Sequence, residues 1–395
     1  MKDLPVEEAR ARILADLPPA TVESVALADA LGRVLAEDVA ATRDQPPFDA
    51  SAMDGWAVAG PGEAYAILGE SAAGHGYARP LEPGQAVRIF TGAPVPQGAD
   101  RVVLQEDSRR EGDRVLTPAA GAGPTHIRPS GGDFHAGDLL LSAGVRLDPW
   151  RIGLAAATGR PTLKVARRPR VAILSTGEEI VPPGAEPGPD QIFNSSGPSL
   201  SALVRTWGGD PISVTTAGDD LDAIAGAVAD AGGDVVVTLG GASVGDHDLV
   251  KPALARLGLV LRFETVRLRP GKPTWFGLLA DSRRVVGLPG NPASGLVCAE
   301  LFLRPLLLAL QGAEPGPRLE TARLSKALAA NGPREHWARA RLSMTEGVLQ
   351  AEAMSDQDSS LVSVFASADA LIRRPAGALA GEVGAVVDIL RLGRL

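Results

Sequence analysis

Along the first seventeen residues Val6, Ala9, Ile13, Leu14 and Leu17 fall on one face at helical spacing, with charged residues opposite. This predicts an N-terminal helix, followed by a short strand over Arg33–Val39. From residue 46 to about 140 the apolar runs shorten and are broken by Gly and Pro: YAILGE, QAVRIFTG, DRVVLQED and DRVLTP. That is an all-β pattern. A short helix is predicted over Pro149–Thr158. From Arg170 to about Gly312 strands and helices alternate. RVAIL, PISVTTAG, DVVVTLG, LRFETVRL, PTWFGLL and RRVVGLPG read as strands. Ser199–Trp207, the stripe Leu221, Ile224, Ala225 and Val228, and His247–Leu257 read as helices, with a further apolar helix starting at Pro292. DVVVTLG is apolar without alternation, as in a strand buried on both faces. The alternation predicts a doubly wound α/β sheet with ligands at the carboxyl ends of its strands. From about Pro315 short strands return.

The predicted organisation is therefore a helical N-terminal linker region (1–45 with 141–168), a β-rich inserted domain (46–140), a central α/β domain (169–314) and a small C-terminal β domain (315–395). At 395 residues the chain exceeds what one core usually fills, which agrees with several domains. Hydrophobic residues at 45% and charged residues at 22% exclude a largely disordered chain. The net charge of −8 argues against bulk attraction to nucleic acid. Cys298 is the single cysteine, which excludes an internal disulfide and zinc sites that need two thiolates. The N-terminus has no apolar signal region. The most apolar stretch, Gly295–Leu310, carries Glu300, Arg304 and Pro305 and falls short of the ~20 residues that span a bilayer. A cytoplasmic protein with no membrane partner is expected.

Chemistry concentrates in four polar loops that follow apolar strands. They are Ser175-Thr176-Gly177-Glu178-Glu179, Gly240–Asp248, Arg269-Pro270-Gly271-Lys272-Pro273 and Pro289-Gly290-Asn291-Pro292-Ala293-Ser294. In a doubly wound sheet such loops converge on one crevice. Asn291 suits a helix N-cap and Pro292 the first helical turn, leaving free N–H groups and the helix dipole to favour an anion. The glycines around Ser243 let backbone N–H groups approach a ligand closely. Glu178, Glu179, Asp219, Asp220, Asp246 and Asp248 stand at strand ends, and carboxylates beside an anion site suit a bridging hard cation such as Mg²⁺. Gly241–Gly245 also spells G-x-S-x-G, so a serine hydrolase using Ser243 is an alternative. Its histidine would have to be His336, inside a different predicted domain. The five histidines show no metal spacing. In the β-rich region, the segments around Asp54 and Thr91 read from residue type alone as turns.

Taken together, FDASAMDGWAV (48–58), RIFTGAPVP (88–96), RPSGGDF (128–134), STGEE (175–179), GGASVGDHD (240–248), RPGKP (269–273) and PGNPAS (289–294) resemble the molybdopterin molybdenumtransferase family, the MoeA type that includes the gephyrin E domain. The likeness extends over essentially the whole chain. The sheet loops alone are shared with molybdopterin adenylyltransferases, so an enzyme of that kind is a second alternative. The resemblance implies insertion of molybdate into adenylylated molybdopterin with release of AMP. It also implies Mg²⁺, an adenylyltransferase as pathway partner and an elongated homodimer. In such a dimer one subunit's β-rich domain can close over the other subunit's α/β crevice. By likeness, Asp54, Thr91, Glu179, Asp248, Arg269 and Lys272 are catalytic. Glu179, Asp219 and Asp248 would hold the metal. Ser175, Thr176, Gly177, Gly240, Gly241, Ser243, Gly245, Pro289, Gly290, Asn291, Pro292 and Ser294 would bind substrate. Arg269 stands where many bacterial members have lysine, and Asp358 where the family has glycine.

Overall fold

The computed structural model describes residues 1–120, 123–241, 249–316 and 318–393. It forms two compact units: residues 1–23, 32–36 and 164–395 in one, and 24–31 with 37–163 in the other.

The larger unit is built on a six-stranded sheet ordered Asp210–Ala217, Arg170–Thr176, Val235–Leu239, Arg284–Leu288, Trp275–Leu278, Val260–Phe263. The first four strands run parallel, Trp275–Leu278 runs against them, and Val260–Phe263 pairs antiparallel with Trp275–Leu278. The period of two along a strand sorts its side chains between two cores. Val235 and Val237 enter one core with Leu200, Val204 and the helix residues Val297 to Leu307. Val236 and Val285 enter the other with Ile224, Val228 and Leu254. Helices cover both faces, which is why DVVVTLG has no polar side, and the fold is doubly wound with an antiparallel edge. The N-terminal helix is Val6–Ile13, and its Val6, Ala9 and Ile13 pack into the first core.

Three predicted elements differ. LRFETVRL is not one strand: Val260–Phe263 stays in the central sheet, while Leu268–Arg269 pairs with Glu335–Thr345. The break arises because the N-terminal segment takes the intervening backbone, with Leu4 N–H donating to Thr265 O and Arg267 N–H to Leu4 O. Arg33–Val39 is reduced to an isolated bridge between Leu35 and Val165 and a two-residue strand, Val39–Ala40. The helix predicted over His247–Leu257 is Val250–Ala255, and its predicted start lies outside the described residues.

At the C-terminus Leu319–Leu324, Glu335–Thr345, Val348–Ala353, Ala370–Arg374 and Val386–Arg391 close into a barrel, because Glu335–Thr345 pairs with both Val348–Ala353 and Ala370–Arg374. Its interior is small and aliphatic, with Ala338, Ala340, Ile372 and Ile389 at 0–3% exposure. In the smaller unit a second six-stranded sheet runs Arg101–Leu104, Gly55–Val58, Gln85–Ile89, Ala64–Ser71, Arg114–Leu116, Arg109–Glu111.

The helix from Pro292 to Leu310 is long and apolar enough to cross a membrane, yet 78% of it is buried inside the fold, as in a core helix. A π-helical turn, Ala299–Leu303, interrupts it. The Arg10 guanidinium takes up the Leu301 carbonyl within that turn. Glu300 lies in the same turn, 6% exposed, and burial pushes its carboxyl up to about 7 against the opposing pull of Arg304 at 3.6 Å. The folded state therefore binds this proton more tightly than the unfolded chain, and stability falls as pH rises from about 4.5 to 7. Glu300→Gln is expected to be near neutral at pH 5 and to stabilise at pH 8 by at most about 3 kcal/mol. Urea unfolding at the two pH values measures the difference. An equal effect at both would show that Glu300 is ionised in the fold.

Candidate active site

The parallel strands end at one edge of the central sheet, where their loops line a cleft of about 620 Å³. Glycine lets them meet there. A side chain at Gly240 (φ 95°) would strike Thr176 O at 2.7 Å, and one at Gly290 would press on Gly240 Cα at 3.3 Å. At Gly241 (φ 55°) it would strike Val250 at 2.2 Å. The three loops are thus packed backbone against backbone, and their polar groups face one space.

Ser175, Thr176, Gly177, Glu179, Asp219, Gly240, Gly241, Pro289, Gly290, Asn291 and Pro292 all line this cleft. Ser175 Oγ accepts from Asn194 Nδ2 at 2.9 Å, and Asn194 Oδ1 in turn accepts from Gly197 N–H at 2.8 Å. Thr176 Oγ1 is buried and has no hydrogen-bond partner among the described residues. Glu179 and Asp219 are exposed. Gly177 (φ 132°) has no Cβ, and the Glu179 carboxylate folds back over it, 2.4 Å from where that atom would stand. Asp220 does not join them: its side chain caps the helix Leu221–Ala231.

Other predicted residues fall elsewhere. Ser294 is 4% exposed and lies two positions beyond Pro292, the last residue of this loop to line the cleft. From the RPGKP loop only Pro273 lines the cleft. Arg269 is exposed and pairs in register with His336, and Lys272 Nζ lies 3.9 Å from Asp3. Ser243, Gly245 and Asp248, with Asp246 and His247, lie outside the described residues. No group of three His, Cys, Asp or Glu residues able to hold a metal occurs among the described residues.

The PGNP turn corrects one expectation. Asn291 occupies the N-cap position, but its side chain does not cap the helix. Its Nδ2 donates to Ser359 Oγ at 3.0 Å, and Ala293 N–H donates to Ser359 O at 3.0 Å. Pro292 has no N–H, and the next helical donor, the Ala293 N–H, is taken by Ser359 of the C-terminal domain instead of opening into the cleft. Ser360 lines the cleft beside them. Sequence reasoning missed this pair, although the Gln357-Asp358-Ser359-Ser360 run held the signal. Asp358 Oδ1 accepts from the Ser360 N–H and hydroxyl at 2.8 and 2.6 Å, so a local side-chain turn shapes the backbone here without positive φ. Behind it Arg339, 1% exposed, anchors Gln357 through its backbone N–H and its Nε.

In the smaller unit Asp54 and Thr91 form a local pair. Asp54 Oδ1 accepts from the Thr91 N–H and from its hydroxyl, both at 2.8 Å. Those two bonds hold the carboxyl below its usual range, with Arg88 adding a smaller pull. Asp54 is fully exposed, so an ionised carboxylate with a free second oxygen is presented to solvent.

His336 does not support a hydrolase triad. It is half-buried, and burial together with Arg269, Arg339, Arg374 and Arg334 pushes its imidazole down to about 4. A second cleft, about 650 Å³, lies where the strands begin and is lined in part by the ion pairs Arg167–Asp234 and Arg283–Asp281.

Comparison with known proteins agrees with this architecture. Residues 4–159 match the MoeA N-terminal region (domain I and II), 172–309 a probable molybdopterin binding domain, and 321–392 the MoeA C-terminal region (domain IV). Molybdopterin molybdenumtransferase of a Nostoc species is 38% identical over 346 residues, covering 83% of this chain and 79% of the relative. The enzyme of that name from Bacillus subtilis is 33% identical over 403 residues, covering 98% and 94%. The structure of the molybdopterin biosynthesis MoeA protein of Pyrococcus horikoshii superposes with a TM-score of 0.84 at 32% identity, with both chains fully covered. Fold and cleft thus define a transferase of molybdenum cofactor biosynthesis. The chain belongs to the molybdopterin molybdenumtransferase (MoeA) family.

Proposed function

We propose that this enzyme inserts molybdate into adenylylated molybdopterin and releases AMP. The supporting observation is the convergence of three glycine-bearing strand-end loops and two carboxylates, Glu179 and Asp219, on one cleft with the barrel's Ser360. A phosphoanhydride needs close backbone approach on one side and an oxygen-ligated cation on the other. The donor set fits Mg²⁺, which is commonly held by one or two carboxylates and completed by substrate phosphates. Asp248 is a third candidate ligand on sequence grounds. When bound, Mg²⁺ supplies Lewis-acid polarisation of the phosphoanhydride. Glu179 and Asp219 place that charge, Ser175 is held in one orientation by Asn194, and the orphaned Thr176 hydroxyl is available to a substrate oxygen. Arg269 and Lys272 do not line the cleft, and it is the family likeness that makes them candidate cationic donors to the molybdate dianion. Water adds across the phosphoanhydride bond as it breaks, so AMP departs and the pterin keeps its own phosphate; the two dithiolene thiols bond to molybdenum, and their protons leave with one molybdate oxygen as water. The enzyme works in the cytoplasm as a homodimer, downstream of an adenylyltransferase that supplies its substrate.

Incubation with adenylylated molybdopterin, Mg²⁺ and molybdate should release AMP, and omission of the oxyanion should stop it. Release without molybdate would overturn the reading. Labelling of Ser243 by a fluorophosphonate would instead favour hydrolysis. Light scattering should give twice the chain mass of 40.7 kDa. At limiting molybdate Arg269→Lys should keep partial activity, whereas Arg269→Ala should lose at least about tenfold, because the charge matters more than the fork. Equal rates for Arg269→Ala and wild type would remove Arg269 from the site.

A further inference from the structure

We infer that Arg88 is a positioning residue for this reaction, fixing the main-chain carbonyls of Asp54 and of the residue that follows it so that the Asp54 carboxylate is presented in one orientation. The inference rests on the reaction proposed above and on the reading, implied by the family resemblance, that Asp54 takes part in it.

The geometry is local to the smaller unit. Asp54 precedes the strand Gly55–Val58, whose neighbours are Gln85–Ile89 and Arg101–Leu104. Gly55 stands so close to the latter that a Cβ there would lie 1.9 Å from Val103 O, so the backbone after Asp54 is wedged and accepts no other residue. Arg88 Nη1 donates to Gly55 O at 2.6 Å. Its Nη2 donates to Gln105 Oε1, also at 2.6 Å, and the Gln105 N–H donates to Asp54 O at 3.2 Å. One guanidinium therefore ties the carbonyl after Asp54 to the residue that binds the carbonyl of Asp54 itself. The guanidinium carbon lies 4.8 Å from the centroid of Phe90 and 5.6 Å from that of Trp56, so aromatic rings fix its plane as well as its charge.

The residue following Phe90 is Thr91, which holds Asp54 Oδ1 twice. Thus Arg88 restrains both ends of the Asp54–Thr91 pair: Asp54 through Gly55 and Gln105, and Thr91 through the stack on Phe90. A bidentate, stacked guanidinium has no equivalent in lysine, which offers one point charge and no plane. The ordinary alternative is that Arg88 only stabilises the sheet. That role predicts loss of stability and of folded fraction, without dependence on Asp54.

The test is a double-mutant cycle on AMP release by the full chain, with folding checked by circular dichroism and melting. Arg88→Met should lower kcat by about 10- to 10²-fold with the KM for molybdate unchanged, the size expected when a reacting group is displaced by about an ångström. Arg88→Lys should recover only part of that loss. In the Asp54→Asn background Arg88→Met should cost nothing further, because a residue acting through Asp54 has nothing left to position. If Arg88→Met does not fold, Gln105→Leu, which removes one of the two anchors, should show the same kcat loss and the same non-additivity. Wild-type kcat in folded Arg88 or Gln105 variants, or losses that add fully to that of Asp54→Asn, would overturn the inference. Full activity of Asp54→Asn itself would instead overturn the reading of Asp54 on which it rests.

Discussion

Glu179→Gln is expected to lower AMP release by at least about 10²-fold with no change in melting, because removal of one charge that holds a catalytic cation costs several kcal/mol of transition-state stabilisation. The absence of a stability cost follows from the structure: Glu179 is exposed, its backbone makes the local bonds, and its carboxylate has no ion-pair partner among the described residues. Chelation should be equally severe. EDTA should stop the wild type, and added Mg²⁺ should restore it. In Glu179→Gln the Mg²⁺ requirement should rise, visible both in turnover and in calorimetric titration of the metal. Turnover of wild type in EDTA would remove the cation from the proposal. An unchanged Mg²⁺ requirement in Glu179→Gln, with turnover lowered, would leave the cation but move Glu179 away from it.

The second large effect is expected at Asp54. Asparagine keeps an oxygen that can accept from Thr91 N–H and hydroxyl, so Asp54→Asn changes charge with little change of shape. AMP release should fall by at least about 10²-fold if an ionised carboxylate is required, the usual scale for loss of a preorganised charged group in an active site. Thr91→Val removes the hydroxyl donor and keeps the backbone one, and should fall between Asp54→Asn and wild type. Asp54 is held ionised well into acid by these bonds, so the acid limb of the wild-type pH profile should belong to another group. Full activity of Asp54→Asn would place the pair outside the chemistry.

How far the sequence foretold all this depends on the range of the interaction concerned. The doubly wound sheet was legible because strand burial is written residue by residue: Val235, Val236 and Val237 alternate between two cores and are all apolar. Glycines at 240, 241 and 290 were legible as loop residues, and the structure shows that each stands where a side chain would strike a neighbouring loop. The break in LRFETVRL was not legible, since its cause is Leu4, more than 250 residues away. The same holds for the helix start at Pro292. Local rules assign Asn291 a capping role, but a serine 68 positions further on takes its side chain. Lys272 and Arg269 were legible as cations, yet nothing in their spacing could reveal that Pro273 is the loop's contribution to the cleft wall. The TGAPVP segment shows the reverse: an unremarkable turn by residue type, given meaning by its likeness to a family and then by Thr91 on Asp54.

Cys298, the chain's one thiol, lies at 0% exposure beneath the RPGKP loop, where a Cβ on Gly271 would strike its sulfur at 2.2 Å. Burial pushes the thiol up to about 12, while Thr274 Oγ1 at 3.1 Å pulls weakly the other way. Alkylating reagents need the thiolate, so in the closed protein this sulfur is silent. It becomes reactive only when the loop carrying Lys272 lifts or the core opens. The molecule therefore carries its own chemical probe of any opening around this sulfur. The rate at which a maleimide consumes the single cysteine, compared with and without oxyanion, reads the sum of loop and core opening and needs no engineered label.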